Sequence, residues 1–337
     1  MEKKTYLNLL AEWEKLKTQK PGIRIKEAAD ILHVAEAELL VTRCGENVKR
    51  LNHNPIAILN AISKVDEVMA LTRNASVVIE TSGKYPTFLL EDHWLIGNND
   101  DFHIIFDTNI ITHIFAVTDE FAGQTRNSIQ FFDAAGRAIH KIYFDISAPQ
   151  ETYASITHAF LSPNQEKEIN CFNYSKTTRV EISKQTALQK WESLKNYHRF
   201  DNLEFYLGNA LLDIVTHLDE ERARKIPAEM LTQFLLGVGN KNISISYIVK
   251  NIGCTQLFRG PIRNVFAKDD WFNVKDPEFN LHILKTHLDA GYLVHVPLIN
   301  NYRLALLFFN KQGELALEIT STGEDFSSLL KSLGYYF

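Results

Sequence analysis

The sequence predicts an α+β fold in which one helix-plus-antiparallel-sheet unit occurs twice in tandem. Two observations carry that prediction. The first is an internal repeat. Ala11-Glu12-Trp13-Glu14-Lys15-Leu16-Lys17 returns as Gln189-Lys190-Trp191-Glu192-Ser193-Leu194-Lys195, 178 positions later. From Asn74 a shift of 177 then holds without a gap for about seventy residues, pairing Asn74 with Asn251, Gly83 with Gly260, Asp92 with Asp269 and Trp94 with Trp271. The same register pairs Arg126 with Arg303, Phe131-Phe132 with Phe308-Phe309, and Gly136 with Gly313. The second observation is order: each copy puts helically spaced apolar residues first and short β-rich runs after them.

In the first copy Tyr6, Leu9, Leu10, Trp13 and Leu16 recur at helical spacing until Pro21-Gly22 ends the pattern. Two short helices are predicted near 25–32 and 35–43. Runs of β character follow at 68–72, 77–80, 94–96, 102–106, 113–117, 128–132 and 139–144. Asp133-Ala134-Ala135-Gly136 reads as the hairpin turn between the last two. A helix near 150–161 closes the copy. Residues 162–184, polar and broken by Pro163, Asn164 and Ser175, read as a linker. The predicted domains are therefore 1–161 and 185–337. The second copy adds a helical run of Leu203, Tyr206, Leu207, Ala210, Leu211 and Ile214 after its repeated tryptophan.

Composition narrows the function classes. With 337 residues, 45% hydrophobic and 23% charged, the chain can build two ordinary cores. No apolar run approaches the ~20 residues of a membrane span, and Met1-Glu2-Lys3-Lys4 leads into an amphipathic helix rather than a secretion signal. Three widely spaced cysteines, Cys44, Cys171 and Cys254, form neither a disulfide framework nor a CxxC site and suit a reducing compartment, so a cytoplasmic location is expected. A net charge of −5 argues against a nucleic-acid binder, whose affinity rests on neutralising phosphates. Nothing indicates an oligomeric state.

Enzyme motifs are absent: there is no P-loop, no GxGxxG after a strand, no GxSxG and no HExxH, and Gly237-Val238-Gly239 stands isolated. Residues 25–40 have the outline of a helix-turn-helix, but Glu36 and Glu38 occupy the would-be recognition helix, so the segment reads as a packing pair. Among twelve histidines, His282 and His287 fall on a strand pattern with opposite faces. His198 differs in position, at a junction between helices where an imidazole can present a nitrogen to a metal; the bland alternative is a histidine at a helix C-terminus.

Several dispersed stretches resemble the bacterial cytoplasmic haemin-transport and haemin-degrading proteins of the HemS/ChuS type. They are 25–40, Met69-Ala70-Leu71-Thr72-Arg73-Asn74, Arg126-Asn127-Ser128-Ile129-Gln130-Phe131-Phe132-Asp133, Trp191-Glu192-Ser193-Leu194-Lys195-Asn196-Tyr197-His198, Asn251-Ile252-Gly253-Cys254 and 271–281. The resemblance runs nearly end to end and implies a duplicated fold whose two similar halves have a cleft between them that holds one haem b. It places the iron ligand on His198, and an arginine on the opposite haem face at a position that here is His103 or Ile105. No arginine stands between Arg73 and Arg126. The family's further anchors fall on Leu211 and on Ile319-Thr320-Ser321-Thr322, none of them basic or phenolic. Haem propionates take charge-assisted bonds from Arg or Lys, and Arg199, Arg303 and Lys285 are the replacements to look for.

The resemblance implies a protein that takes up imported haemin, stores or delivers it, with a haem importer or a downstream acceptor as partner. Oxidative, haem-oxygenase-like ring opening belongs to the same family, although no catalytic residue is singled out. Loss of the basic anchors keeps a second reading open: a non-catalytic binder of another tetrapyrrole or hydrophobic ligand, or a protein-interaction module, on the same fold.

Overall fold

Helix α1 (Tyr6–Gln19) buries Leu9, Trp13 and Leu16 on one stripe, and the small residues Ala28 and Ala29 of α2 (Ile25–Leu32), with Leu39 of α3 (Glu36–Val41), pack closely beside it, while Ala37 is buried on the other side of α3 with Leu40 and Phe115. His33 ends α2 in the left-handed conformation, φ 55°. The segment that outlines a helix-turn-helix is thus spent on packing. Its Glu36 is buried, with an oxygen 2.5 Å from Lys141 Nζ. The structure is a computed structural model that describes residues 6–100, 102–121, 123–145, 150–172, 182–196, 202–321 and 323–337.

The first copy continues with β1 (Val48–Arg50), α4 (Pro55–Ile62), β2 (Val68–Arg73), β3 (Val77–Gly83), β4 (Phe88–Glu91), β5 (Trp94–Asn98), β6 (His103–Asp107), β7 (His113–Phe121), β8 (Gln124–Phe132), β9 (Ala138–Phe144) and α5 (Gln150–Ala159). The second repeats the order: α6 (Lys184–Ser193), α7 (Leu203–Leu207), α8 (Leu211–His217), β10 (Ala223–Ile226), α9 (Met230–Lys241), β11 (Ile245–Lys250), β12 (Cys254–Gly260), β13 (Val265–Lys268), β14 (Trp271–Lys275), β15 (Phe279–Leu284), β16 (Leu288–Pro297), β17 (Tyr302–Asn310), β18 (Leu315–Ser321) and α10 (Glu324–Ser332). The predicted α+β class and antiparallel sheets are what the chain adopts, and the repeat reaches single dihedral angles. Asp92 and Asp269, 177 apart, both take positive φ, at 57° and 52°, in equivalent turns. Gly136 and Gly313 do the same at 72° and 80°, each donating its N–H to the residue three before it, Asp133 and Asn310.

Two sequence readings are corrected. The helical run 203–214 is not continuous: Gly208, at φ 56° and ψ −149°, breaks it into α7 and α8, joined by one 3₁₀ turn. His287 is not on a strand, because β15 ends at Leu284 and a 3₁₀ turn (Lys285–His287) follows. His282 is on β15, its Nδ1 2.7 Å from Asn273 Oδ1.

The chain divides into two units, and each draws a short segment from the other half of the sequence. One comprises Met1–Thr72, Thr81–Ser175 and Asn251–Cys254; the other comprises Arg73–Glu80, Lys176–Lys250 and Thr255–Phe337. In the first unit, β1-β7-β8-β9-β2 and β4-β5-β6 are antiparallel arrays around one core. In the second, β10-β16-β17-β18-β11-β12 forms the larger array, and β15-β14-β13 a smaller one. Helices α9 and α10 cover one face of the larger array and α6 to α8 the other. Asparagines tie the exchanged segments in. Asn74 Oδ1 accepts from the N–H groups of Ser76 and Val77, and its Nδ2 donates to Lys250 O at 3.2 Å and Ala316 O at 2.8 Å. Asn251 repeats the pattern, accepting from Gly253 and Cys254 and donating to Ile139 O at 2.7 Å, where Ile139 is the residue equivalent to Ala316.

The first core holds a polar cluster that the second lacks. In the first unit Thr72, Tyr85, His140 and Cys254 form a fully buried polar cluster: His140 Nδ1 is 2.8 Å from Thr72 Oγ1 and its Nε2 is 3.1 Å from Tyr85 OH. Cys254 Sγ lies 3.4 Å from the same threonine oxygen. The equivalent positions in the second unit are Val249, Ile262, Leu317 and Val77, all in its apolar core. Burial pushes the His140 imidazole down to about 3 and the Cys254 thiol up to about 12, so both groups are neutral at pH 7. Among the described residues no helix is long and apolar enough to cross a membrane.

Candidate functional site

The sequence points to the junction between α6 and α7, and the structure describes both flanks of it. His198 itself lies outside the described residues, as does Arg199. On the upstream side Ser183 caps α6 by accepting from Thr186 N, and the repeated Trp191 is buried. Trp191 Nε1 donates to His295 O at 3.1 Å, which fixes the helix against β16. A 3₁₀ turn (Leu194–Asn196) follows, with Leu194 buried.

Downstream, Asn202 caps α7: its Oδ1 accepts from Phe205 N at 2.7 Å. The residue is buried, and its Nδ2 finds no acceptor among the described residues. The next N–H, that of Leu203, donates to Glu318 Oε2 at 3.0 Å. A carboxylate is favourable there, because the helix N-terminus presents unpaired N–H groups and partial positive charge. Glu318, on β18, is fully buried, and its other oxygen accepts from Arg303 Nη2 at 3.3 Å. Arg303 Nη1 donates to Thr320 Oγ1 at 3.0 Å, and that hydroxyl donates on to Leu304 O at 2.8 Å. Glu204 in the first turn of α7 faces Lys250 Nζ at 3.6 Å; burial raises its carboxyl pKa, with Lys250 opposing the shift.

These contacts decide what the sequence-named residues do. Arg303, looked for as a replacement cation, is buried and neutralised by Glu318. Lys285 sits in the 3₁₀ turn after β15, whereas Arg303 is on β17 and Glu318 on β18. Leu211 starts α8 and is buried in the apolar cluster of α6 to α8. Ile319 points into the opposite core, under α9 and α10, whereas Thr320 holds Arg303; Thr322 lies outside the described residues. His103 begins β6 in the first unit, half-buried and paired with Asn98 on β5. It shares a strand face with Ile105, opposite Ile104 and Phe106, which enter the core. His103 belongs to one unit and the flanks of His198 to the other.

Sequence reasoning missed Glu318 and the junction of Thr320 with Arg303. A signal existed in the repeat: Glu318 corresponds to Lys141 and Arg303 to Arg126, so the paired positions carry opposite charge in one copy only.

The sequence model of a family described as "Haemin-degrading HemS.ChuX domain" matches residues 33–160 and 211–330, once in each copy. Hemin transport protein HmuS of Yersinia pestis is 27% identical over 91% of this chain and 89% of its own length. Hemin transport protein HemS of Yersinia enterocolitica is 26% identical over the same shares. Among solved structures, holo-PhuS, a heme-binding protein from Pseudomonas aeruginosa, superposes with a TM-score of 0.91 at 25% identity, covering 98% of this chain and 99% of that one. ChuS, an E. coli heme oxygenase, shares the fold with a TM-score of 0.84 at 22% identity, over 97% and 99%.

Proposed function

Because the chain belongs to the family of the haemin-degrading HemS.ChuX domain, we propose that it is a cytoplasmic haem-binding protein that takes up imported haemin and stores it, delivers it or opens its ring. The observation that carries this reading is that the likeness to a heme-binding protein covers both copies, 98% of this chain and 99% of that one. The donor set around α7 fits a haem in part. His198 is the proposed iron ligand; in the sequence it falls between a helix anchored through Trp191 and one fixed at its start by Asn202 and Glu318. Asn202 Nδ2, four residues later in the sequence and without an acceptor among the described residues, is a neutral donor suited to an anionic oxygen. His103 is the proposed group toward the other haem face, as a donor or a second axial ligand.

Bound haem would supply the iron and its oxygen chemistry. The protein's own contribution is an imidazole ligand, apolar surface from the α6 to α8 cluster, and buried acid–base pairs that keep local charge near zero. A haem importer or a downstream haem acceptor is the proposed partner.

The test is haemin titration of the apo-protein, wild type beside His198→Ala. A Soret shift saturating at one equivalent for His198, absent or strongly weakened in the variant, is expected. An unchanged spectrum in the variant would remove His198 as ligand. One observation favours the second reading, a non-catalytic binder of a less anionic tetrapyrrole or another hydrophobic ligand: the Arg303 guanidinium is already paired with Glu318. Haemin dimethyl ester, which lacks free carboxylates, separates the two. On the second reading it binds at least as tightly as haemin.

A further inference from the structure

The second unit has a concave slot of about 350 Å³ between the β16–β17 turn and α10. Leu293, Leu304 and Leu330 give it an apolar floor, and Tyr302 and Tyr336, 53% and 57% exposed, leave aromatic surface open along it. Its volume is that of an ordinary small-molecule site. The His295 side chain, Tyr302 and Lys331 have no part in the haem reading above.

His295 is the polar centre of the slot. Its Nδ1 lies 2.9 Å from Glu221 O, and a carbonyl only accepts, so Nδ1 carries the proton. Burial lowers its pKa below the usual 6.5; the Glu221 hydrogen bond opposes that shift and the Arg224 guanidinium adds to it, so the ring is neutral at pH 7. Nε2 is then a lone-pair acceptor, and it has no partner among the described residues. The ring is clamped, its centroid 3.9 Å from that of Tyr302 and 3.7 Å from that of Phe337. Arg224 holds the Phe337 side of the clamp, its guanidinium 5.5 Å over that ring and its Nη1 donating to Tyr336 O.

The repeat supplies an internal control. The cross-strand pairs His295–Leu304 and Pro297–Tyr302 correspond to Thr118–Asn127 and Glu120–Thr125. In the first copy these side chains satisfy each other: Thr118 Oγ1 donates to Asn127 Oδ1 at 2.8 Å, and Thr125 Oγ1 to Glu120 Oε1 at 2.6 Å. The hairpin therefore forms without an imidazole or a phenol at these places. The second copy instead leaves an acceptor and aromatic surface open.

The lining selects the ligand. Among the described residues no group of three or more His, Cys, Asp or Glu gathers to hold a metal ion. A lone neutral imidazole nitrogen accepts from an N–H or O–H, and open tyrosine rings favour a flat, conjugated body. Lys331 on α10 is an exposed ammonium with no ion-pair partner among the described residues, and it suits an anionic group. Glu324 lines the slot from the same helix two turns earlier, ~10 Å along the axis, so the anion belongs at the Lys331 end.

We propose that this slot binds a small aromatic acid carrying an N–H or O–H donor, with His295 Nε2 accepting from the donor, Tyr302 and Tyr336 stacking on the ring and Lys331 pairing with the acid group. Indole-3-acetate has all three features and is the probe, titrated calorimetrically into the full chain. One equivalent is expected. Benzothiophene-3-acetate, an isostere without the N–H, and indole-3-acetamide, which lacks the charge, should each bind roughly tenfold more weakly. His295→Phe keeps an aromatic ring in the clamp; it should weaken indole-3-acetate roughly tenfold and leave the benzothiophene unchanged. Lys331→Gln should weaken the acid and not the amide. Both variants should take up haemin as the wild type does. No binding of indole-3-acetate at millimolar concentration overturns the site, and so does equal binding of its isostere to the wild type. Equal losses for both acids in His295→Phe would mean that the imidazole only packs, and would overturn its role as acceptor. A changed haemin titration in either variant would place these residues in the haem site and overturn a separate one.

Discussion

Replacing His140 by leucine, the residue at the equivalent place in the other copy, should change the slope of stability against pH as well as its level. His140 is fully buried among apolar neighbours, its ring 5.1 Å from that of Phe106 in an edge-on contact. Burial lowers its pKa from 6.5 to about 3. The unfolded chain therefore takes up a proton below pH 6.5 that the folded chain refuses until about pH 3. The neutral form's contribution is complete above 6.5 and is lost as pH falls, at about 1.4 kcal/mol per unit. Between pH 6.5 and 5 that is about 2 kcal/mol. Tyr85 and Cys254, the titratable groups touching it, both have raised pKa values and stay neutral throughout this window. At pH 7 the substitution takes the imidazole from Tyr85 OH, a cost of about 1–3 kcal/mol for a group left unsatisfied, while Thr72 Oγ1 keeps Cys254 Sγ at 3.4 Å. At pH 5 most of that deficit is offset, because leucine takes no proton. Urea-dependent hydrogen exchange, resolved to peptides covering β8 and β9, reads this core without assuming that the whole chain unfolds at once. Convergence of wild type and His140→Leu by about 2 kcal/mol from pH 7 to pH 5 is expected. Parallel curves would refute the reasoning, since they would mean that His140 titrates alike in folded and unfolded chains.

Glu318→Gln should cost about 3 kcal/mol of stability by leaving Arg303 buried without its counter-charge, while making haemin affinity more salt-sensitive; calorimetric melting and titrations at two ionic strengths measure both. Wild-type haemin binding should fall less than tenfold between 20 and 500 mM salt, because the anchors at Leu211 and Ile319 are apolar. It should also be on the order of a hundredfold weaker than binding in a relative with two or three cationic clamps, each charge-assisted bond contributing ~1.5–3 kcal/mol. Gly136→Ala should destabilise more than Gly313→Ala. Both strain a positive φ, but the new Cβ at 136 would lie 2.6 Å from Cys171 Sγ and 2.7 Å from Ala35 Cβ, against 3.1 Å from Leu212 Cδ2 at 313. Urea midpoints of the two variants settle the order.

The duplication was legible because it is written in bulky residues whose burial is costly to lose. Trp13 and Trp191 anchor equivalent helices, and Phe131-Phe132 and Phe308-Phe309 are all buried. The α2–α3 pair was legible from alanine spacing to within two residues. Residues 44–67 were not assigned, although they hold β1 and α4; a three-residue strand and an eight-residue apolar helix offer too few periods to read. The break at Gly208 was hidden because apolar spacing continues across it. The Glu318–Arg303 pair was illegible for another reason: a charged residue between apolar neighbours on a strand reads as solvent-facing, yet here it is buried and receives the Leu203 N–H at the start of α7. Which unit receives Arg73–Glu80 or Asn251–Cys254 is likewise not encoded in repeat register, since equivalent residues are equivalent in either placement.

That reciprocal loan of segments bears on how such a chain could have arisen and on how it can be cut. A single ancestral copy would have had its own loop to give away and an identical gap to fill, so its natural partner was another molecule of itself. Fusing two copies in tandem turned that dependence between molecules into one within a chain, and freed the copies to diverge, as Thr72, Tyr85, His140 and Cys254 have from Val249, Ile262, Leu317 and Val77. Severing the backbone between 162 and 184 would not yield two self-sufficient pieces. Residues 185–337 alone would lack Arg73–Glu80, and residues 1–161 would lack Asn251–Cys254. Each fragment would be left holding a key cut for the other's lock.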